Sequence, residues 1–302
     1  MRGVGSTLST MLIDVLAPLL TLAVGVAYAR RCAALARRER PVPAWRQACF
    51  AAGLILLIVA DVPPLADTAE ELVVAHMAQH LLIGDLAALL LTLGLTGPIL
   101  QPILAVRGLG WLRRLGNPLV AFPLWMADLY LWHLATVYQG VLTSEPLHLL
   151  QHACFLSFGV VMWLPLIGPL PKPSWFGDGA KLGYIVAVRF AGAVLANVLI
   201  WSGSVLYPDY APGERKWDIS PLADQGSAGN LMMIETGVVT LILFAWLFFR
   251  AAGRSMEKQE LLDLAAERGI ELDPRRAARA VAAGQGPRLR QRLLSGHLAG
   301  DQ

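Results

Sequence analysis

The chain has 302 residues, of which 56% are hydrophobic and only 16% charged, and its mean hydropathy is +0.54. Because a soluble domain carries about 25% charged residues, this composition excludes an ordinary soluble fold. The net charge of +3 is small, and the basic residues gather in loops and in the C-terminal tail, which gives no support to nucleic-acid binding. The three cysteines have no metal-ligand spacing and predict no disulfide framework.

Seven apolar blocks, each about as long as the hydrocarbon core of a bilayer, predict an all-α polytopic transmembrane helical bundle with seven spans. The strands of a β-barrel would instead alternate over segments of about 10 residues. The first block contains Asp14 and is followed at once by Arg30 and Arg31, so it is interpreted as a span rather than as a cleaved signal peptide. The predicted spans are residues 8–29, 47–63, 71–94, 118–142, 146–168, 181–205 and 228–249.

The positions of arginine and lysine in the short loops predict the orientation of the bundle. Six arginines lie between the first two spans, whereas the next loop, residues 61–71, has four acids and no base. Alternation of the spans then places every basic cluster except Arg215-Lys216 on the side of the first cluster. We therefore expect the N-terminus outside and the C-terminus in the cytoplasm.

The expected domains are a transmembrane domain over residues 1–250 and a cytoplasmic tail of amphipathic helices over residues 251–302. In the tail, apolar periodicity and glycine or proline breaks predict short helices over 255–268, 274–283 and 287–298. The arginines of the tail either contact anionic lipid headgroups or are simply solvated. In the third loop, residues 100–115 predict a short interfacial helix or ordered loop.

Five of the six histidines lie inside predicted spans, where an ionisable side chain is a candidate functional residue. His76 and His80 belong to the third span, His133 to the fourth, and His148 and His152 to the fifth, while His297 lies in the tail and is expected to be a surface residue. Residues four apart share one face of a helix, so each pair points in one direction. Under the predicted orientation, all five lie within about 15 Å of the outer surface. Such a group predicts a site of three to five imidazoles for copper or zinc, or axial ligands for haem. The alternative is that each histidine only hydrogen-bonds to a neighbouring carbonyl or hydroxyl.

Other polar and sulfur-containing residues near this depth are weaker candidates. The thioethers of Met77 and Met233 suit Cu(I), although core packing is the favoured explanation for each. Glu235 is a carboxylate in the last span that would balance metal charge or orient a histidine. Asp61 and Asp224 admit a cation from solvent, cap a helix or are simply solvated. The chain has no Ser-His-Asp order, phosphate-binding glycine loop or HExxH motif, so it is not expected to be an enzyme.

Four short motifs follow one another along the chain. They are Ala75-His76-Met77-Ala78-Gln79-His80-Leu81-Leu82, Leu131-Trp132-His133-Leu134 followed by Tyr138, His148-Leu149-Leu150-Gln151-His152, and Ser220-Pro221-Leu222-Ala223-Asp224-Gln225. These motifs resemble, in the same order, those of the multi-span CtaG family of cytochrome c oxidase assembly factors, which is associated with caa-type oxidases. The resemblance covers about residues 45–250. Ala135 stands where that family usually has proline, and residues 85–89 replace a proline-containing stretch.

The resemblance implies a seven-span protein of the bacterial inner membrane that is needed to build an active oxidase. The expected activity is that of a metallochaperone, which holds copper as Cu(I) on the five histidines and passes it to the copper-centre-bearing subunit of the oxidase. The expected partners are that subunit, membrane lipid and a periplasmic copper donor.

Three other functions stay open at this point. A b-type haem membrane protein would need small residues beside the macrocycle, whereas bulky leucines surround these histidines. A copper importer would need polar or methionine-rich stations continuing to the other side of the membrane. A structural scaffold predicts that histidine replacements lower stability without changing metal content.

Overall fold

The computed structural model describes the backbone of residues 4–295 and side chains from residue 18 to residue 295, and the regular structure in this part is entirely helical. Helices account for most of the chain because long apolar blocks bury their backbone polar groups only by bonding them within the segment. The α-helices are α1 Val4–Ala36, α2 Ala44–Ala60, α3 Leu65–Ala69, α4 Val73–Leu81, α5 Ala88–Gly94, α6 Gly97–Ala105, α7 Pro118–Trp132, α8 Ala135–Thr143, α9 Glu145–Ile167, α10 Asp178–Trp201, α11 Ala211–Lys216, α12 Pro221–Glu267, α13 Pro274–Ala282 and α14 Gly286–Leu294.

Five helical stretches of the described chain are long and apolar enough to cross a membrane, and a sixth results if α7 and α8 form one bent span. The predicted second span corresponds to α2, which has only 17 residues. A crossing helix needs about 20 residues, with a lower limit of about 17. The chain is therefore a multi-pass helical membrane protein with five or six candidate spans. Its seventh span and its orientation stay predictions.

The continuous helix predicted over residues 118–142 is instead broken, with α7 and α8 meeting at 67°. His133 ends α7 in a nearly helical conformation, and Leu134 is extended with φ −60° and ψ 128°. A break inside an apolar segment leaves backbone carbonyls without helical partners, and these need other donors. The hydroxyl of Tyr207 supplies one by donating to the carbonyl oxygen of His133 at 3.0 Å. The break thus holds His133 at the end of a helix rather than in its middle.

The third predicted span contains a π-helical turn, Leu82–Ala87, between α4 and α5. Such wide turns occur mostly as single insertions and frequently at functional sites. Gly159 of α9 packs so closely on this turn that a Cβ atom there would overlap the carbonyl oxygen of Gly84. The indole nitrogen of Trp163 donates to the carbonyl oxygen of Asp85 at 3.1 Å. The turn and α9 are therefore fixed against each other directly below the histidines of both segments.

The chain divides into two compact units, residues 1–238 and 239–302, with the division inside the long helix α12. In the first unit, an apolar cluster with buried tyrosines joins α4, α8, α10 and the start of α12. The second unit has its own small core, formed by Leu261, Ala265, Leu272, Ala277, Val281, Leu289 and Leu293.

The tail and the third loop differ in detail from the predicted elements. Residues 255–267 continue α12 instead of forming a separate helix, while α13 and α14 form close to the predicted positions. In the third loop, α6 is followed by a 3₁₀ helix, Gly110–Gly116. His297 lies outside the described residues. The domain division at residue 250 stays a prediction.

Candidate metal centre

The first two histidines project from the start of α4, a helix whose N-terminus is capped from a distant part of the chain. The Asp224 carboxylate accepts hydrogen bonds from the backbone nitrogens of Val73 at 2.7 Å and Val74 at 3.0 Å. A carboxylate at this position satisfies free N–H groups and complements the helix dipole. His76 and His80 follow on one face, 1% and 5% exposed, with ring centroids 4.3 Å apart.

The second pair comes from the first turns of α9, and it faces the first pair. His148 and His152 have ring centroids 4.3 Å apart. The His76 ring lies 5.2 Å from that of His148, and the His80 ring lies 5.6 Å from that of His152. One ligand nitrogen from each of the four rings lies within 4.8 Å of the other three. The two predicted pairs therefore form one closed group of four imidazoles, which we name the four-histidine cluster.

His133 lies beside this cluster rather than in it. Its ring centroid is 6.4 Å from that of His80 and 5.9 Å from that of Phe155. The Nδ1 atom is 2.7 Å from the carbonyl oxygen of Leu129. A carbonyl only accepts, so this contact places the ring proton of His133 on Nδ1 and leaves the lone pair on Nε2.

A carboxylate also lies beside His152. The Asp61 carboxylate lies 3.1 Å from Nδ1 of His152. A carboxylate that accepts a histidine proton on one ring nitrogen directs the other nitrogen toward a ligand, and this pairing is common behind metal-bound histidines. Asp61 therefore lies behind the cluster at His152, at a position where the sequence predicts a carboxylate that admits a cation, caps a helix or is solvated.

Four buried ring nitrogens at the site have no hydrogen-bond partner among the described residues. Most buried polar atoms in proteins are hydrogen-bonded, so four at one place require an explanation. Imidazole nitrogens with free lone pairs are ligands for copper and zinc, and the donor set fits either metal. The unpartnered atoms are Nδ1 of His80 and Nε2 of His133, His148 and His152.

Tyrosines, which the sequence did not predict at this site, surround His76. The Tyr210 hydroxyl lies 2.6 Å from Nδ1 of His76 and 3.4 Å from the hydroxyl of Tyr138. Nε2 of His76 is 2.8 Å from Nε2 of His80, so one of these nitrogens carries a proton. If Tyr210 donates to Nδ1, the proton of His76 lies on Nε2. If Nε2 instead gives its lone pair to a cation, Nδ1 donates to Tyr210, and Tyr210 donates to Tyr138. The tyrosine pair accommodates both states.

The two predicted methionine ligands have contacts of their own in the structure. Met77 is 1% exposed and packs in the apolar cluster of the first unit, next to Val73 and Tyr138. The sulfur of Met233 is 3.7 Å from the side-chain nitrogen of Asn197, and the residue is exposed. Core packing explains the first position, and a contact between α10 and α12 explains the second.

The predicted partner of a metal or a histidine in α12, Glu235, is instead paired with an arginine. Arg189 Nη1 lies 3.3 Å from Glu235 and 2.5 Å from the Asp85 carboxylate of the π-helical turn. The guanidinium also lies over the ring of Trp163, with its carbon 5.2 Å from the ring centroid. Two carboxylates thus share one cation inside the apolar bundle. The sequence did contain a sign of this ion pair, because Arg189 lies inside a predicted span and charged residues inside a membrane pair with one another.

The loop that covers this end of the first unit is held by polar contacts of Glu71. Its carboxylate accepts from the Lys216 ammonium at 2.5 Å and from the Trp217 indole at 2.6 Å. These two hydrogen bonds lower the pKa of Glu71. Burial raises the pKa of Glu214, whose carboxylate oxygens have no partner among the described residues. A Cβ on Gly213 would overlap the backbone of Glu71, so the loop packs directly on the start of α4.

The fold and the site together define a multi-pass helical membrane protein with a buried cluster of histidines near one end of its bundle. Residues 26–254 match the family model described as cytochrome c oxidase caa3 assembly factor, Caa3_CtaG. Because the match covers most of the chain, this protein belongs to that family. The resemblance inferred from the four short motifs is confirmed.

Two curated relatives add sequence similarity without a function. One is from Mycobacterium bovis and one from Mycobacterium tuberculosis, both are described as uncharacterized, and each is 25% identical to this chain over 244 residues. The aligned region covers 74% of this chain and 36% of each relative, so the chain spans about a third of the length of these relatives. No solved structure matches the chain.

Proposed function

We propose that this protein is a non-catalytic assembly factor that binds copper, as Cu(I), on the four-histidine cluster and transfers it to the copper-bearing subunit of a caa3-type cytochrome c oxidase. Membership of the caa3 assembly factor family supports the oxidase as client. Copper is the cargo of this protein rather than a cofactor of a reaction. The proposed location is the bacterial inner membrane, with the cluster toward the outer surface, where a periplasmic donor would supply the ion.

One observation carries the copper proposal: nitrogens from four histidines converge within 4.8 Å, and three of these residues have buried ring nitrogens with no partner in the described part of the chain. Imidazole donors bind copper well, and a buried site protects Cu(I) from solvent. The Asp61 carboxylate lies 3.1 Å from Nδ1 of His152, at one corner of the cluster. The contact of Nδ1 with the carbonyl oxygen of Leu129 orients the ring of His133. Nε2 of His133 has no hydrogen-bond partner among the described residues, and its ring lies near that of His80, so His133 is the proposed fifth ligand during transfer.

The same geometry disfavours a haem between paired histidines. Two axial ligands of a haem stand on opposite faces of the macrocycle, so their rings are separated by its iron. Here, Nε2 of His76 and Nε2 of His80 are only 2.8 Å apart, and the four ring centroids follow one another at 4.3 to 5.6 Å. The packed rings leave space for an ion rather than for a macrocycle.

The test is the metal content of the purified protein, by mass spectrometry together with the visible spectrum. The variants are His76→Ala/His80→Ala and, as a matched control, His297→Ala in the tail. Near-stoichiometric copper in the wild type and in the control, lost in the double variant, is the expected result. A Soret band would assign the site to haem. Copper bound equally by all three proteins, or by none after loading with Cu(I), would refute the proposal.

A further inference from the structure

A cavity of about 980 Å³ lies at the end of the first unit where the histidines are found. Its walls come mainly from three segments: residues 69–70 at the end of α3, residues 141–146 at the junction of α8 and α9, and five residues within 208–215 before α12. Many of these wall residues are exposed, so the cavity is open to solvent at its mouth. We name this cavity the vestibule.

The vestibule reaches two members of the four-histidine cluster. His76 and His148 are wall residues, with ring centroids 5.2 Å apart, whereas His80 and His152 are not among the residues that line it. On the other side of the cluster, His80 packs against Phe155, with ring centroids 4.5 Å apart. Phe155 belongs to an apolar group with Ile83 and Trp132. The cluster is therefore open along one edge and closed by apolar side chains along another.

The charges on the vestibule walls favour a cation. Glu70, Glu145 and Asp209 line it together with one base, Arg215, so the formal excess is two negative charges. A concave surface lined by one sign of charge, with walls of low dielectric constant, raises the local concentration of ions of the opposite sign. Glu70 and Asp209 are exposed, which places this charge toward the mouth.

We propose that the vestibule is the route by which the copper cation exchanges between the adjacent aqueous phase and the four-histidine cluster, with His76 and His148 as the edge through which it passes. This inference rests on the proposed copper function and adds the path and the charge of the exchanging species. The species is a weakly ligated cation rather than an anionic complex. The wall carboxylates attract the ion, and the histidine nitrogens then replace its solvent ligands.

The experiment measures copper uptake and release separately. Anaerobic protein in detergent is mixed with tetrakis(acetonitrile)copper(I), a monocation, and the reaction is stopped at timed intervals with excess bathocuproine disulfonate, which captures ion that has not entered the protein. Release is followed by adding the same chelator to loaded protein. The charge variant is Glu70→Gln/Asp209→Asn. Its matched control, Asp67→Asn/Asp218→Asn, removes two exposed acids that are close in the chain to Glu70 and Asp209 and do not line the vestibule.

At low ionic strength, the charge variant is expected to take up copper about three- to tenfold more slowly than the control. The difference should shrink at high salt because exposed charges are screened. The amount of copper bound should stay unchanged, since no histidine is altered. Equal uptake rates in the charge variant and its control, with full copper content, would remove the electrostatic part of the proposal.

A second variant tests the route itself. Thr143 is an exposed wall residue whose hydroxyl bonds to the carbonyl oxygen of Gly140. Thr143→Trp should narrow the vestibule and slow uptake and release by a similar factor, leaving the equilibrium affinity unchanged. Thr143→Ser retains the hydroxyl and is the control. Rates equal to those of the control, in a protein that binds copper, would overturn the route and leave the proposed function intact. A wild type that retains no copper would overturn both.

Discussion

Replacing Tyr210 by phenylalanine removes one oxygen atom beside the four-histidine cluster and leaves the ring in place. That oxygen lies 2.6 Å from Nδ1 of His76, and both residues are only 1% exposed, so water does not readily substitute for it. When His76 gives its Nε2 lone pair to a metal, its Nδ1–H needs an acceptor, which the hydroxyl supplies. Loss of such a partner behind a metal-bound histidine typically lowers metal affinity by about 10- to 100-fold. This corresponds to about 1.4 to 2.8 kcal/mol of binding free energy.

The assay is a competition titration of Cu(I) between the purified protein and a chromophoric chelator, which gives the dissociation constant and the stoichiometry together. We expect Tyr210→Phe to bind the same amount of copper with weaker affinity. A purely structural role for Tyr210 would instead lower thermal stability in detergent and change the stoichiometry without shifting the affinity of the folded fraction.

Tyr207→Phe is the matched control for this prediction. Tyr207 is also 1% exposed and also loses one hydroxyl, but its partner is the backbone carbonyl of His133 rather than a histidine ring. Equal affinities in the two variants would refute the argument that Tyr210 acts through the ring nitrogen of His76.

Three further predictions concern stability in detergent. Arg189→Met should destabilise the fold by about 3 to 5 kcal/mol, because it leaves two buried carboxylates without their cation. Glu235→Gln should lower stability much less. Thermal unfolding of both variants measures the two losses, and equal losses would contradict this prediction. Gly159→Ala should lower stability by about 1 to 3 kcal/mol, because the added methyl group would overlap the π-helical turn. Its control is Gly183→Ala, where the added methyl group meets no atom within 4 Å, so stability in the same assay should stay equal or rise. Because hydrogen bonds lower the pKa of Glu71 in the folded state, its stabilising contribution is present above the unfolded pKa and lost as the pH falls through the folded pKa. Glu71→Gln should therefore flatten the acidic limb of the melting temperature plotted against pH, and an unchanged limb would show that the ion pair contributes nothing.

Local sequence patterns were sufficient to predict the pairs within the histidine site. His76 and His80, and likewise His148 and His152, share a helix face because four residues make about one turn. A spanning helix has a limited length, so the position of a residue along it gives the depth of that residue in the membrane. The two pairs lie near the starts of two helices that enter from the same side, so they lie at similar depths. The prediction that the two pairs lie at one depth needed no tertiary contacts.

The contacts behind the rings were not predictable from those patterns. Tyr210 lies in a loop 134 residues from His76, and Asp224 caps α4 from a position 151 residues away from Val73. Periodicity reports which face of a helix is buried, but it does not report which loop covers that face. The sequence likewise predicts that the carboxylate of Glu235 is buried in a span. Only the packing of α10 beside α12 determined that Arg189 is its partner.

The amino-acid sequence by itself determined the membrane class, the all-helical fold and the histidine pairs, because apolar length and helical spacing are local properties of the chain. The tertiary structure determined that the two pairs close into one cluster, that His133 lies at a 67° break beside it, and that an acidic vestibule opens on its His76 and His148 edge. These features depend on how separate segments pack, and the energy of that packing is shared among residues far apart in the chain.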